Sequence, residues 1–203
     1  MSFVKVCGIT RLSDLEAVID AGADAVGINI WPGSPRSVGE SDAAELVRAA
    51  RGRIETVLVV VDHSQPHRLR EQIGADWVQL HGDEPSELVS GASFKAIGIA
   101  GEADVALALG MPGERLLVDA RDPVRRGGTG ERAPTALARE IAAARRTILA
   151  GGLRPDNVEE AIRAVRPWGV DTASGVESAP GEKDRRAVET FVRAAKHAFS
   201  FRS

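Results

Sequence analysis

Two hydrophobic patterns alternate along this chain. Short runs rich in Val, Ile and Leu recur as FVKV, AVGINI, IETVLVVV, WVQL, FKAIGI, RLLVD, TILA and WGVD. Between and after them lie stretches rich in Ala, Leu, Arg and Glu, at residues 12-21, 41-51, 66-73, 84-90, 103-109, 135-145, 156-165 and 184-199. The continuous apolar runs predict strands, and the amphipathic stretches predict helices. Ser13, Ser41 and Asp156 are the expected helix caps. The outcome is eight strands, each followed by a helix.

Continuous apolar strands alternating with helices imply a parallel sheet buried on both faces, because parallel neighbours need a crossover connection. An open doubly wound sheet and a closed (β/α)8 TIM barrel both satisfy that pattern. Eight units of roughly 25 residues favour the barrel, at the small end of its size range. The first turn, CGITRLSD, also lacks the GxGxxG spacing of a dinucleotide-binding sheet. A barrel places function at the carboxyl ends of its strands. Those ends carry Cys7 and Gly8, the segment Asn29 to Arg36, Asp62 and His63, Gln79 to Gly82, Asp119, Gly151 and Gly152, and Asp171 to Gly175.

Composition narrows the partners. The 203 residues, 43% of them hydrophobic, suit one domain over residues 1-203 better than two. Basic and acidic side chains number 26 and 29 and are spread along the chain, so no nucleic-acid or membrane-surface partner is expected. A small-molecule substrate is the expected partner, with the protein a monomer or a homodimer. One cysteine, no signal-peptide pattern and no long apolar run imply a soluble cytoplasmic protein.

Two loops carry the strongest local chemistry. GGLRPDNV after strand seven and TASGVE after strand eight bring Gly151, Gly152, Ser174 and Gly175 to the place where this fold usually holds a phosphate. Plain turn chemistry explains many such glycines, but two loops at the two expected strands favour a phosphate site. No glycine follows strand three in VVVDHSQPH, so a second phosphate held in the same way is not expected.

Asp119 closes the run RLLVD, where burial would raise its pKa and suit it to act as an acid; pairing with an arginine is the plainer alternative. Arg36 follows Pro35 and presents a planar fork suited to a carboxylate. The long connection 119-134 contains Arg125, Arg126, Gly127, Gly128 and Gly130, the composition of a mobile active-site loop. Cys7 on position alone is as well explained by packing as by chemistry. His63 and His67 lack a third ligand, so no metal is expected, and with His197 they read as solvated; His81 is a possible pocket residue.

The motifs KVCGIT, SPRSV, VQLHGDE, LLVDARDPVRRGGTG, LAGGLRPDNV and VDTASGVESAPGEKD together resemble the phosphoribosylanthranilate isomerases of tryptophan biosynthesis, over nearly the whole chain. That resemblance implies a (β/α)8 barrel performing an Amadori rearrangement, with Cys7 as general base and Asp119 as general acid. It further implies that Arg36 holds the anthranilate carboxylate and that the phosphate sits on Gly151, Gly152, Ser174 and Gly175, with no cofactor. Asp171, His81 and Gly128 fall on matched motifs without an assigned role. The chemistry asks for a site favouring thiolate at Cys7 and neutral acid at Asp119. Gly8 is expected to keep the mouth open beside the thiolate.

Three positions depart from the family's common pattern: ERAP after the loop glycines, GINI in strand two, and Ala173 where serine is frequent. The histidine-pathway isomerase that acts on a substrate with two phosphates, or a dual-substrate isomerase, is the nearest alternative. It would show an aspartate in place of Cys7 and a glycine-rich loop after strand three. The other alternative is a non-catalytic barrel that binds a phosphorylated ligand.

Overall fold

The computed structural model describes residues 3–120 and 134–201. Eight parallel strands run in sequence order: β1 (Phe3–Cys7), β2 (Ala25–Asn29), β3 (Glu55–Val60), β4 (Trp77–Leu80), β5 (Ser93–Gly98), β6 (Leu116–Asp119), β7 (Thr147–Ala150) and β8 (Gly169–Thr172). Closure decides between the two expected sheets. Strand β1 pairs with β8 in the register Phe3↔Gly169, Val4↔Val170, Lys5↔Asp171 and Val6↔Thr172, so the sheet is a closed barrel.

Pleating sorts the strand residues onto two sides. Val4, Val6, Val26, Ile28, Leu58, Val60, Val78 and Leu80 pack outward against the helices. Phe3, Ala25, Val57, Phe94, Ala96, Leu117, Ile148 and Ala150 form a separate cluster that fills the barrel. The alternation along β1 therefore carries Lys5 and Cys7 inward with Phe3.

Among the described residues the outer helices are α1 (Leu12–Asp20), α2 (Glu40–Ala50), α3 (Pro66–Ile73), α4 (Glu102–Gly110), α5 (Pro134–Ala144), α6 (Val158–Val165) and α7 (Arg185–Ser200). The helix expected over 84-90 does not form. That connection holds a single 3₁₀ turn, Ser86–Leu88, because Pro85 opens it and Ser90 and Gly91 close it. The Ser93 hydroxyl accepts from the Ser90 amide and donates its one proton to the Ser90 carbonyl at 2.8 Å, with the Leu88 carbonyl a second acceptor within reach at 3.1 Å, a local bonding pattern that competes with a helix.

The caps differ as well. Arg11, Gly39 and Asn157 precede α1, α2 and α6, in place of the expected Ser13, Ser41 and Asp156, and none caps with its side chain. Asp184 does so at α7, accepting from Ala187 N at 3.0 Å. An unexpected antiparallel hairpin, β9 (Glu177–Ala179) with β10 (Glu182–Lys183), follows β8. No helix among the described residues is long and apolar enough to cross a membrane.

Candidate active site

The carboxyl ends of the strands surround a cavity of about 510 Å³. Cys7, Arg36, His81, Asp119, Gly151, Gly152, Asp171, Ser174 and Gly175 all line it. Nine expected positions from six strands and their loops thus meet in one hollow. Gly128, Arg125 and Arg126 lie outside the described residues. A wider hollow of about 890 Å³ adjoins the first, between the 3₁₀ turn and α4, and shares His81 and Asp119 with it. It opens on the side where the expected helix is only a turn.

Cys7 is half-buried, with neighbours that pull its ionisation in opposite directions. Burial pushes the thiol above its ordinary value, and the Asp171 charge adds to that push. Lys5 and Lys183 work the other way without reversing it. The environment favouring thiolate is therefore not met at Cys7, because loss of water outweighs the cations.

Gly27 is the glycine that makes room for the sulfur. A Cβ there would lie 2.5 Å from Cys7 Sγ and 3.0 Å from Lys5 Nζ. Gly8 has a different task from the one expected. Its φ of +78° lies in the left-handed region, and a Cβ would stand 2.6 Å from Arg36 Cδ. Gly8 gives space to the arginine, not to the thiol.

Arg36 is held by a carboxylate of the protein itself. Its Nε and Nη2 donate to Glu177 Oε1 and Oε2 at 2.8 and 2.7 Å. Lys183 Nζ donates to the same carboxylate at 2.7 Å and to the Ala173 carbonyl at 3.1 Å. Burial pushes Glu177 upward, but the bonds from Arg36 and Lys183 outweigh it and keep the carboxyl below its ordinary range. The hairpin β9–β10 supplies both Glu177 and Lys183, so the unexpected element is what fixes the arginine.

The two glycine loops are stapled to each other. Thr172 Oγ1 donates to the Leu153 carbonyl at 2.7 Å, and a Cβ on Gly175 would collide with that same oxygen. Gly151 and Gly152 have φ of +110° and +68°, turning the chain sharply after β7. A 3₁₀ turn, Ser174–Val176, follows β8.

His81 lies at the mouth, its Nδ1 2.8 Å from the Gln79 amide nitrogen. With that amide donating, Nε2 carries the ring proton. Loss of water in the concavity, followed by the Lys5 charge, holds the ring below its ordinary imidazole range. His63 and His67 are half-buried, not solvated: Nδ1 of His63 accepts from Gln65 N, and Nε2 of His67 lies 2.8 Å from the Leu88 carbonyl. Among the described residues no three His, Cys, Asp or Glu side chains form a metal site.

The family model described as N-(5'phosphoribosyl)anthranilate (PRA) isomerase matches residues 4–194. The chain belongs to the N-(5'-phosphoribosyl)anthranilate isomerase family. The N-(5'-phosphoribosyl)anthranilate isomerase of Myxococcus xanthus is 48% identical over 204 residues, which cover 95% of each chain. The phosphoribosyl anthranilate isomerase of Thermotoga maritima superposes with a TM-score of 0.84 at 34% identity, covering 97% of this chain and all of that one. A further phosphoribosyl anthranilate isomerase structure, in complex with reduced 1-(o-carboxyphenylamino)-1-deoxyribulose 5-phosphate, superposes at 0.83 with 33% identity, covering 97% and 100% of the two chains.

Three residues of the site escaped sequence reasoning: Lys5, Glu177 and Lys183. All are buried or half-buried. For Lys5 a signal existed, since a lysine two residues before Cys7 on an apolar strand must point into the barrel with it. Glu177 and Lys183 gave none, because the hairpin that carries them reads as loop.

Proposed function

We propose that the protein isomerises N-(5-phosphoribosyl)anthranilate to 1-(2-carboxyphenylamino)-1-deoxyribulose 5-phosphate, with Asp119 as general acid and Cys7 as general base. The observation that supports this reading best is the convergence of Cys7, Asp119, Arg36 and both glycine loops on one cavity of about 510 Å³. The Asp119 carboxyl gives its proton to the ribose ring oxygen, and the C1–O bond breaks as the anilino nitrogen lone pair forms an iminium. The positive charge makes the C2 proton acidic. Cys7 thiolate removes it, and the C–H electrons become the C1=C2 bond of an enolamine. Loss of the C2 hydroxyl proton and protonation of C1 then give the ketone.

Binding follows from the same geometry. Arg36, locked by Glu177, offers its remaining edge to the anthranilate carboxylate. The single phosphate lies on the loops of Gly151, Gly152, Ser174 and Gly175, where backbone amides and the Ser174 hydroxyl are available as donors. Substrate fluorescence gives the test. Freshly generated phosphoribosylanthranilate should lose fluorescence much faster with the protein than in buffer, and an equal rate would remove the proposal. Cys7→Ala and Asp119→Asn are each expected to lower kcat by about 10²- to 10⁴-fold with little change in ligand affinity.

A further inference from the structure

Lys5 is fully buried, at 0% exposure, on the same inward face as the apolar cluster of Phe3, Ala25, Val57 and Leu117. A methionine would fill that volume without the cost of an ammonium taken out of water. The charge has two neighbours. Lys5 Nζ donates to Asp171 Oδ1 at 3.0 Å, across the β1–β8 closure where the two residues are in register, and beside Gly27 it adjoins the Cys7 sulfur. Lys5 and Cys7 stand two residues apart on one face of β1, and the missing Cβ of Gly27 leaves Sγ and Nζ one shared space.

We infer that Lys5 is the positioning residue for the base: its buried ammonium holds the Cys7 sulfur and stabilises the thiolate. This rests on the assignment of Cys7 as base. The other charges around the sulfur do not take the role. Arg36 and Lys183 are both committed to Glu177, and Asp171 opposes thiolate formation. Asp119 and His81 line the same cavity from β6 and from the end of β4. Among the described residues Lys5 is the cation that both bonds Asp171 and shares the inward face of β1 with the sulfur. Burial pulls its pKa down, but Asp171 and Cys7 outweigh that and raise it, so it remains an ammonium through the working range.

Cys7 is the sole cysteine of the chain, so iodoacetamide alkylation against pH reports this thiol and nothing else. In Lys5→Met the alkylation midpoint is expected to rise by about one to three pH units, with kcat at neutral pH down about tenfold or more and KM nearly unchanged. A folded Lys5→Met protein with the wild-type midpoint would overturn the inference. Lys5→Gln, which keeps a polar side chain without the charge, decides the matter if Lys5→Met does not fold. Its midpoint should also rise; an unchanged or lower midpoint would overturn the inference. Failure of the base assignment is separable, since it shows as retained turnover in Cys7→Ala, whereas alkylation reads the Lys5–Cys7 interaction without any turnover.

Discussion

The base proposed at Cys7 must lose its proton in a concavity short of water, against the pull of its surroundings. Because the thiol is held above its ordinary value, the active thiolate fraction falls about tenfold for each pH unit below that value. The rate constant kcat/KM is therefore expected to climb with a slope near one through neutral pH. It should still be rising past about 8.5, the ordinary thiol value. A profile flat from neutrality upward would contradict the raised value. Arg36 poses a different problem, since its fork is occupied by Glu177. Glu177→Gln keeps the shape but removes the charge that Arg36 and Lys183 share. We expect KM to rise about tenfold, the cost of mislaying one charge-assisted contact, with a smaller effect on kcat. Steady-state kinetics on the purified variant checks the split. Cys7 and Asp119 were legible as strand-end positions because they close apolar runs, while their roles came from the family resemblance. Glu177 and Lys183 were not legible, because their burial depends on a hairpin with no apolar alternation of its own.

Strands were easier to read than the segments joining them, and the physical reason lies in what fixes each. A barrel strand is buried on both sides, so its sequence is a run of Val, Ile and Leu whatever its neighbours do. A connection is governed by local competition. The segment 84-90 has enough apolar residues for a helix, but Pro85, Ser90 and the bonding of Ser93 hold it to one turn. Helix caps shifted for a similar reason: serine propensity pointed to Ser13 and Ser41, while tertiary packing began α1 and α2 earlier. The loops after β7 and β8 show how two elements act as one. Thr172 joins them through the Leu153 carbonyl, so Thr172→Val leaves a buried acceptor without its donor. That change is expected to cost about 1–3 kcal/mol of stability. It should also raise KM for the phosphorylated substrate more than it lowers kcat. Urea denaturation and kinetics on one preparation test both parts.

At the scale of the whole barrel, chemistry and stability occupy opposite ends. Sequence order and regularity indicated eight units, but closure between β1 and β8 is a pairing of residues some 166 positions apart, as in Lys5 and Asp171, and no local pattern encodes it. The end remote from the active site is plugged by Arg115, which is buried just before β6. Its guanidinium carbon lies 3.6 Å from the Trp77 ring centroid, 5.0 Å from that of Phe94 and 5.3 Å from that of Phe3. Nη1 donates to Glu55 at 2.9 Å, while buried Nε and Nη2 have no hydrogen-bond acceptor among the described residues. The aromatic faces take the place of acceptors. Phe3 stacks on Trp168 at 4.7 Å, so the plug draws together β1, β4, β5 and the residue before β8. Arg115→Ala removes both the packing volume and the cation–π contacts, and is expected to destabilise the fold by about 2–5 kcal/mol. Arg115→Met, which restores much of the volume, should recover part of that loss. Because the plug lies at the amino ends of the strands and the cavity at their carboxyl ends, kcat and KM of either variant should match the wild type at a temperature where it remains folded. A large kcat change in folded Arg115→Met would show instead that the two ends of the barrel are coupled through the strands.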